Sequence, residues 1–338
     1  MRVYVGIDLH SSNCYLVVLD EEGRVLFEKK LANDLGKTLQ VLAPFQERIA
    51  GIVVESTFNW YWLVDGLMDE GYKVHLANTA AIQQYGGLKY SDDKSDARWL
   101  AQMLRMGILP EGFIYPKEDR AVRDLLRKRS QLVRHKVAHA LSIQNLMARN
   151  LGRRFGIHEI QKLSEAEADD LFDSEDLAMA VKSNLSIFSC LSHEIEILER
   201  AILAKVRHRP LFALLETITG IGKILGLTIL LETGDVTRFA GPGNYASYCR
   251  CVGSARISNG KRKGKGNVKN GNRYLAWAFI EAANFAIRYY PEIKRFYERK
   301  RSKTNGIVAI KAVAHKLARA AYHVMKDEAP FDIDRAFA

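Results

Sequence analysis

Four acidic residues in the first third of the chain have the types and spacing for binding divalent metal ions. Asp8 ends the apolar run VYVGID, and Glu55 ends the apolar run GIVVE. Asp93 and Asp96 lie three residues apart near the start of a predicted helix, so they share one helix face. Carboxylates held close together repel one another, and a hard divalent cation stabilises them in the ionised form. Asp92 is a further candidate ligand. Alternatively, the acids at the start of this helix only interact favourably with the helix dipole.

A second candidate site is a basic segment with a serine near its start. Seven Lys or Arg surround Ser258 between positions 256 and 279, and no acid occurs between Asp235 and Glu281. Phosphate backbone is the natural counter-charge for such a segment, and its glycines predict a mobile loop. Ser258 is either a nucleophile or a phosphate-binding spacer, and Ser254 is a weaker rival for the nucleophile. The predicted nucleic-acid-binding residues are Arg256, Lys261, Arg262, Lys263, Lys265, Lys269 and Arg273, with Arg127, Lys128 and Arg134 on an earlier predicted helix.

The composition fits a globular protein that binds a polyanion. The 338 residues are 48% hydrophobic, and 50 Lys and Arg against 39 Asp and Glu give a net charge of +11. Four scattered cysteines do not suggest a disulfide framework. No apolar run approaches the length of a membrane span. We therefore expect a soluble, cytoplasmic protein that is not associated with a membrane.

The order of predicted elements places the four acids in one domain. Apolar runs and turn signals predict strands and helices in the order β-β-β-α-β-α-β, followed by the helix that carries Asp93 and Asp96. This is the order of an α/β ribonuclease H-like fold, in which parallel strands joined by helices follow three antiparallel strands. We predict that this metal-binding catalytic domain covers residues 1–116.

The rest of the chain is predicted to be mainly helical. Apolar residues at spacings of three, four and seven predict one long helix over 118–151 and a second over 174–206. The pair is either a helical hairpin or part of a dimer coiled coil, so residues 117–208 are predicted to serve oligomerisation and nucleic-acid binding. Residues 209–338 form a predicted mainly α C-terminal domain that carries the basic loop.

The ordered set of motifs resembles the IS one-ten family of insertion-sequence transposases. The resemblance is carried by GIDLHSS, VVESTFNWYWLVDGLMDEGYKVHLAN and DKSDARWLAQML, and later by ETITGIGKILGLTILLETGDVTRFAGPGNYASYCRCVGSARISNGK and KNGNRYL. It implies a RuvC-like DEDD domain that binds Mg²⁺ through Asp8, Glu55, Asp93 and Asp96. It also implies a C-terminal transposase domain in which Ser258 attacks DNA and forms a covalent phosphoserine link.

The same resemblance implies partners for the chain. It implies donor and target double-stranded DNA, a structured guide RNA known as a bridge RNA, and a homo-oligomer, either a dimer or a tetramer. It also implies a bacterial or archaeal protein that is associated with the nucleoid. The residues alone leave a rival enzyme open, a RuvC-like structure-selective endonuclease of the junction resolvase type in which water attacks. A non-catalytic nucleic-acid-binding factor and an actin-like ATPase are weaker interpretations, since all four acids are present and a second phosphate loop is missing.

Overall fold

The computed structural model describes residues 1–82, 92–254, 256–264 and 270–337, which form two compact units. Unit 1 comprises residues 1–117 and unit 2 comprises residues 118–338. Each unit has its own hydrophobic core.

Unit 1 is built on a six-stranded mixed sheet in the order β3-β2-β1-β4-β5-β6. Strands β1, β2 and β3 are antiparallel, β1, β4 and β5 are parallel, and β6 is antiparallel to β5. The ribonuclease H-like fold has this arrangement, and all five predicted strands are present. The elements are β1 (Val3–Leu9), β2 (Asn13–Leu19), β3 (Val25–Ala32), α1 (Leu35–Leu42), a 3-10 helix (Ala43–Arg48), β4 (Ile49–Glu55), α2 (Tyr61–Asp69), β5 (Val74–Ala77), α3 (Asp93–Arg105) and β6 (Glu111–Gly112).

The alternation of side chains along β1 separates the core from the candidate site. Val5, Ile7 and Leu9 are buried on the face of the sheet that packs against α1 and α2. Gly6 and Asp8 alternate with them and lie on the opposite face, which α3 covers. The same strand therefore contributes both a core and an acid that faces the helix.

Gly6 allows α3 to lie directly on the sheet. A Cβ added at Gly6 would be 2.1 Å from the Ala97 carbonyl oxygen and 2.7 Å from the Ala101 backbone nitrogen. Only a residue without a side chain fits between the strand and the helix backbone at this distance. This close approach brings the first turn of α3, with Asp93 and Asp96, next to the end of β1.

Unit 2 is helical apart from one short hairpin, among the residues that the structure describes. Its first and fourth helices are the two long helices that the sequence predicted. The elements are α4 (Lys117–Leu151), α5 (Ile157–Lys162), α6 (Glu165–Asp170), α7 (Glu175–Val206), α8 (Pro210–Glu216), α9 (Lys223–Thr233), a 3-10 helix (Val236–Arg238), α10 (Pro242–Tyr248), β7 (Arg256–Ser258), β8 (Lys261–Gly264), α11 (Arg273–Tyr289), α12 (Pro291–Arg301), α13 (Gly306–Asp327) and α14 (Ile333–Phe337).

The two long helices contribute to two different cores. Ile143 and Met147 of α4 lie in one buried cluster with Val181 and Leu185 of α7, so this part is an intrachain helical hairpin. The other ends of the same helices supply Val122, Leu126, Ile202 and Val206 to the core of the C-terminal helices. The structure thus joins the middle helices and the C-terminal helices in one unit, whereas the division at 208 and the coiled coil remain predictions.

Within the part of the chain that the structure describes, no helix is both long enough and apolar enough to cross a bilayer.

Candidate functional site

The centre of the candidate site is a histidine that lies between two acids. Asp8 is in β1, His10 follows the end of that strand, and Asp93 is the first residue of α3. His10 Nε2 is 3.1 Å from Asp8 Oδ2 and 3.2 Å from Asp93 Oδ1. Asp8 is buried, whereas the side chains of His10 and Asp93 are about two-fifths exposed. The structure therefore brings the first and third predicted acids together around an imidazole.

Glu55 and Asp96 complete the predicted group of four acids. Burial of Glu55 raises its pKa to about 8, and a hydrogen bond with Asp8 and the charges of Asp8 and Asp96 act in the same direction. At neutral pH Glu55 is therefore protonated and donates this hydrogen bond to Asp8. The structure thus joins the carboxylates of β1 and β4 by a hydrogen bond and brings Asp96 of α3 close enough for its charge to act on Glu55.

The residues around Asp8 fit a divalent metal ion. One ligand atom each from Asp8, His10 and Asp93 lies within 4.8 Å of the other two. Asp8 Oδ2 and His10 Nε2 are buried, and neither has a hydrogen-bond partner among the described residues. Buried polar atoms of this kind are costly unless they bind a partner such as a cation. Carboxylate oxygens suit Mg²⁺ and Mn²⁺, and the imidazole nitrogen extends the range to softer first-row metals.

The backbone of His10 is fixed by two asparagines. The His10 carbonyl accepts hydrogen bonds from Asn33 Nδ2 at 2.9 Å and from Asn59 Nδ2 at 3.0 Å. Sequence reasoning missed His10, although a residue two positions after Asp8 belongs to the same face of an extended strand. It also missed the two asparagines, since their partner is a main-chain atom far away in sequence.

Asp92 has a capping role. It is the N-cap of α3, where its side chain accepts a hydrogen bond from the Ser95 backbone N–H at 2.8 Å. The Ser95 hydroxyl is in turn 2.9 Å from the Asp92 backbone N–H, which completes a capping box. Hydrogen bonds from Ser95 lower the pKa of Asp92. This exposed acid is separate from the group of metal-ligating atoms that includes Asp93.

Ser258 lies in a β-hairpin. Strands β7 and β8 pair antiparallel, with Ser258 opposite Lys261 across the two residues Asn259 and Gly260. Both turn residues have positive φ, 51° and 69°, the conformation of a type I′ turn and the reason for the Asn-Gly pair. The prediction of a loop is therefore wrong for residues 256–264, where an exposed Ser258 directly precedes a defined turn.

The segment that follows the basic residues is anchored to the helical core. Asn272 caps α11 and donates its side-chain amide to Glu232 Oε2 at 2.7 Å, and its backbone N–H donates to the Tyr248 carbonyl. Gly271 has φ +90°, and a Cβ there would be 2.4 Å from that same carbonyl oxygen. Arg250 donates two hydrogen bonds to the Gly271 carbonyl. The return from the basic segment to α11 is thus rigidly held.

The predicted nucleic-acid-binding residues differ in their surroundings. Arg127 forms two hydrogen bonds with the buried Glu232, at 2.6 and 2.8 Å, and lies over the Tyr274 ring. Its charge is already neutralised inside unit 2, so Arg127 has no part in the nucleic-acid surface proposed below. Lys128 and Arg134 are exposed on α4. Lys261, Lys263 and Arg273 are exposed, Arg256 and Arg262 lie in the hairpin strands, and Lys265 and Lys269 lie outside the described residues.

Comparisons with known proteins agree with this architecture. A DEDD transposase model, described as "Transposase", matches residues 5–150, and a second model, described as "Transposase IS116/IS110/IS902 family", matches residues 212–298. A protein of Sinorhizobium fredii named "Putative transposase y4qE" is 24% identical over 86% of this chain and 73% of its own length. The "Insertion element IS110 uncharacterized 43.6 kDa protein" of Streptomyces coelicolor is 25% identical over 46% of this chain and 42% of its own length.

The ribonuclease H-like unit and its acid cluster define a DNA-processing enzyme of the DEDD transposase class. The two matches occur in order and together cover about two thirds of the chain, and the chain belongs to the IS110 family of transposases. Membership indicates DNA binding and the use of a divalent metal.

Proposed function

We propose that this transposase cuts and rejoins DNA strands with Ser258 as its nucleophile, with Mg²⁺ as its cofactor and with a structured guide RNA. The observation that carries the proposal is the convergence of Asp8 and Asp93 on His10, with Glu55 hydrogen-bonded to Asp8 and close enough to Asp96 to feel its charge. Acids packed in this way destabilise a fold unless they serve a cation.

The carboxylates would hold the metal. Asp8 and Asp93 offer oxygens beside His10. Glu55, which is hydrogen-bonded to Asp8, and Asp96, whose charge acts on Glu55, would add further oxygens. A bound divalent cation supplies positive charge that stabilises the oxygens of a phosphodiester during cleavage. Glu55 has to release its proton to act as an anionic ligand, because it is protonated in the metal-free protein at neutral pH.

Ser258 is suited to a nucleophilic role by its position. It is exposed, it directly precedes a tight turn, and it is paired with Lys261 across the hairpin. In the proposed step the Ser258 Oγ–P bond forms, the bond from phosphorus to the 3′ oxygen of the DNA breaks, and the hydroxyl proton passes to a base outside residues 256–264. The phosphoserine link retains the energy needed to rejoin the DNA to another strand.

The basic residues around this serine would bind nucleic-acid backbone. Lys261, Lys263 and Arg273 are exposed near Ser258 in the sequence, and the charge of the whole chain is +11. Their positive charge supports binding of donor and target DNA and of a guide RNA. The guide RNA itself is inferred from the resemblance to the family. Cutting several strands requires several active sites, so we infer a homo-oligomer.

The test is a denaturing gel of end-labelled DNA incubated with the protein, Mg²⁺ and any RNA that co-purifies. We expect a shifted band that protease removes, because it is a covalent protein–DNA adduct. Ser258→Ala should lose the band, whereas Ser254→Ala should keep it. Asp8→Asn should lose cleavage but keep nucleic-acid binding, since the exposed basic residues are unchanged.

Each of the other outcomes has a definite meaning. A protease-sensitive band that persists in Ser258→Ala would place the nucleophile elsewhere. Nicked DNA without any such band in the wild-type protein would favour the junction-resolvase type of enzyme, in which water attacks. Full activity in excess chelator would contradict the metal-dependent mechanism.

A further inference from the structure

The C-terminal helices carry a second basic surface, in unit 2 and away in sequence from the Ser258 hairpin. A groove of about 410 Å³ lies between the last part of α12 and the middle of α13. Among the residues that line it there are three Lys, one Arg and one His but no acid. The lining residues are Phe296, Arg299, Lys300, Lys303, Ala312, His315 and Lys316.

The spacing of the basic residues is the same on both sides of this groove. Residues 299, 300 and 303 follow the pattern i, i+1 and i+4, and residues 315, 316 and 319 repeat it on α13. On a helix, i and i+4 lie on one face one turn apart. On α13 these basic residues therefore share one helix face, whereas on the other side of the groove Lys303 continues the basic end of α12 into the turn that follows it.

These cations differ from others on the same helix. Arg295 is 3.8 Å from Glu292, and Arg301 is 3.1 Å from Glu298, so the charges of both are balanced within α12. No carboxylate partner occurs for Arg299, Lys300, Lys303 or Arg319 within the described ranges. All four are exposed. The exposed cations of the groove thus lack the local acid partners that Arg295 and Arg301 have.

The partly buried basic groups at the floor of the groove respond to this excess charge. Burial lowers the pKa of Lys316, and the neighbouring Arg299 and Arg319 lower it further. Burial also lowers the pKa of His315, together with Arg319 and Lys316. Lys316 is fixed in place, because its Nζ donates to the Ala336 carbonyl at 2.8 Å and lies over the Phe296 ring.

A neighbouring cavity of about 440 Å³ shares His315 and Lys316 and extends the surface towards α14. Arg319 and Arg335 line it, together with Asp327 and Asp332. Both of these acids have local partners: Asp327 is 3.4 Å from His323, and Asp332 caps the Arg335 backbone N–H. The unbalanced positive charge therefore continues from the groove along α13 to Arg319.

We propose that the groove between α12 and α13 binds the phosphodiester backbone of nucleic acid through Arg299, Lys300, Lys303 and Arg319. A linear polyanion matches exposed cations spread along an open groove, three at and just beyond the end of α12 and one on α13, better than a small anion does. These residues lie beyond position 298, where the match to the second transposase model ends. The proposal depends on the function proposed above only in requiring that the chain binds nucleic acid.

The test compares two charge-matched double variants of the full-length protein. Arg299→Gln/Lys303→Gln removes two cations of the groove, and Arg295→Gln/Arg301→Gln removes two cations of the same helix that are paired with acids. Binding of a random duplex DNA and of a random RNA hairpin is measured against salt concentration in chelator, so that cleavage plays no part. Thermal unfolding of both variants checks that they fold, which exposed side chains allow.

The groove variant should show a shallower dependence of log affinity on log salt, by about 0.9 for each duplex phosphate that the protein no longer neutralises. The control variant should keep the wild-type slope. A change with duplex DNA alone assigns the groove to DNA, a change with RNA alone assigns it to RNA, and a change with both assigns it to the shared backbone. Wild-type slopes for the groove variant with both probes would overturn the proposal, whereas wild-type protein that binds neither probe would contradict the proposed function itself.

Lysine acetylation read by mass spectrometry gives an independent measurement. Nucleic acid should protect Lys300 and Lys303 from acetylation and leave Lys294 reactive, because Lys294 is exposed on α12 but does not line the groove. Equal reactivity of all three lysines with and without nucleic acid would also overturn the proposal.

Discussion

His10 Nε2 lies 3.1 Å from Asp8 Oδ2, and both atoms are buried without a hydrogen-bond partner among the residues that the structure describes. The same nitrogen is 3.2 Å from Asp93, at the start of α3. A cation beside them would bind the carboxylate oxygen, and also the imidazole nitrogen when that nitrogen carries no proton. Asp8 and His10 at the end of β1 therefore form a pair of candidate metal ligands.

Asp8→Asn should remove metal binding without weakening the metal-free fold. The substitution removes a charge that opposes ionisation of Glu55, so the melting temperature without metal should stay the same or rise. Wild-type protein should gain thermal stability with Mg²⁺ or Mn²⁺ by mass action, and the variant should not. The measurement is thermal unfolding with and without each metal.

Asp92→Asn is the matched control for this experiment. Asparagine keeps the N-cap of α3, and Asp92 is separate from the ligand atoms around His10, so the metal-dependent shift should be unchanged. His10→Gln should weaken the shift and leave the metal-free melting temperature close to wild type. Equal metal-dependent shifts in wild-type and Asp8→Asn protein would exclude this cluster as the metal site.

Metal binding should strengthen as pH rises towards about 8, the pKa of Glu55. Below this pH Glu55 carries a proton that the metal has to displace, so binding should release a proton to the buffer. Calorimetric titration with Mn²⁺ in buffers of different ionisation enthalpy measures that release. Glu55→Gln should bind more weakly and lose this proton release, and an affinity of the wild-type protein that is independent of pH would contradict the role of Glu55.

The same pKa fixes the sign of the effect on stability. Folding raises the pKa of Glu55 from 4.5 to about 8, so the folded state binds its proton more tightly than the unfolded state. The contribution of Glu55 to the free energy of unfolding is fully present below about pH 4.5 and is lost as pH rises through about 8. Metal-free protein should therefore gain stability from Glu55→Gln at alkaline pH.

Local sequence patterns were sufficient to predict the sheet and its acids. Asp8 and Glu55 end apolar strands, and the ends of neighbouring parallel strands meet at one edge, so their approach follows from topology. The strand β6 was missed because two residues carry no periodic signal. The hairpin at Ser258 was missed because the glycines of this segment favour a flexible loop, although the Asn259-Gly260 pair is a strong signal for a type I′ turn.

The ion pair of Arg127 could not be predicted from the sequence, for a different reason. Its partner Glu232 lies on α9, and no local pattern on α4 indicates which of the arginines of this helix pair with acids inside unit 2. The charge run on α4 suggested a nucleic-acid-binding face, whereas ion pairs also hold Arg129 to Glu199 within unit 2. Charge counts predict the sign of a surface but not which cations remain free on it.

Arg127→Gln should destabilise the protein by about 2 kcal/mol. The substitution leaves the buried Glu232 with only Asn272 as a partner. Breaking a buried ion pair costs more free energy of unfolding than breaking a surface pair, and the one-third exposure of Arg127 reduces that cost. Lys128→Gln, one residue further along α4, should change stability by no more than about 0.5 kcal/mol. Urea unfolding measures both, and equal stabilities of the two variants would show that the Arg127 pair contributes nothing.

The hairpin turn should control how Ser258 is presented. Gly260 has φ +69° and open space around its missing Cβ, so Gly260→Ala adds backbone strain without a clash. Strain in the left-handed region costs about 1–2 kcal/mol, which corresponds to roughly a tenfold smaller population of the native turn. We expect the yield of the protein–DNA adduct to fall by a similar factor, with nucleic-acid affinity nearly unchanged because no cation is removed.

Two neighbouring substitutions separate this effect from a general loss of flexibility. Gly253→Ala introduces a Cβ into open space at a residue without positive φ, so the adduct yield should stay at the wild-type level. Asn259→Gly keeps the turn, since glycine adopts the φ of +51° found there without strain, and should also stay active. Only Gly260→Ala places a side chain on a residue with positive φ and so strains the turn. Adduct yields that fall equally in Gly253→Ala and Gly260→Ala would therefore show that the turn does not position the serine.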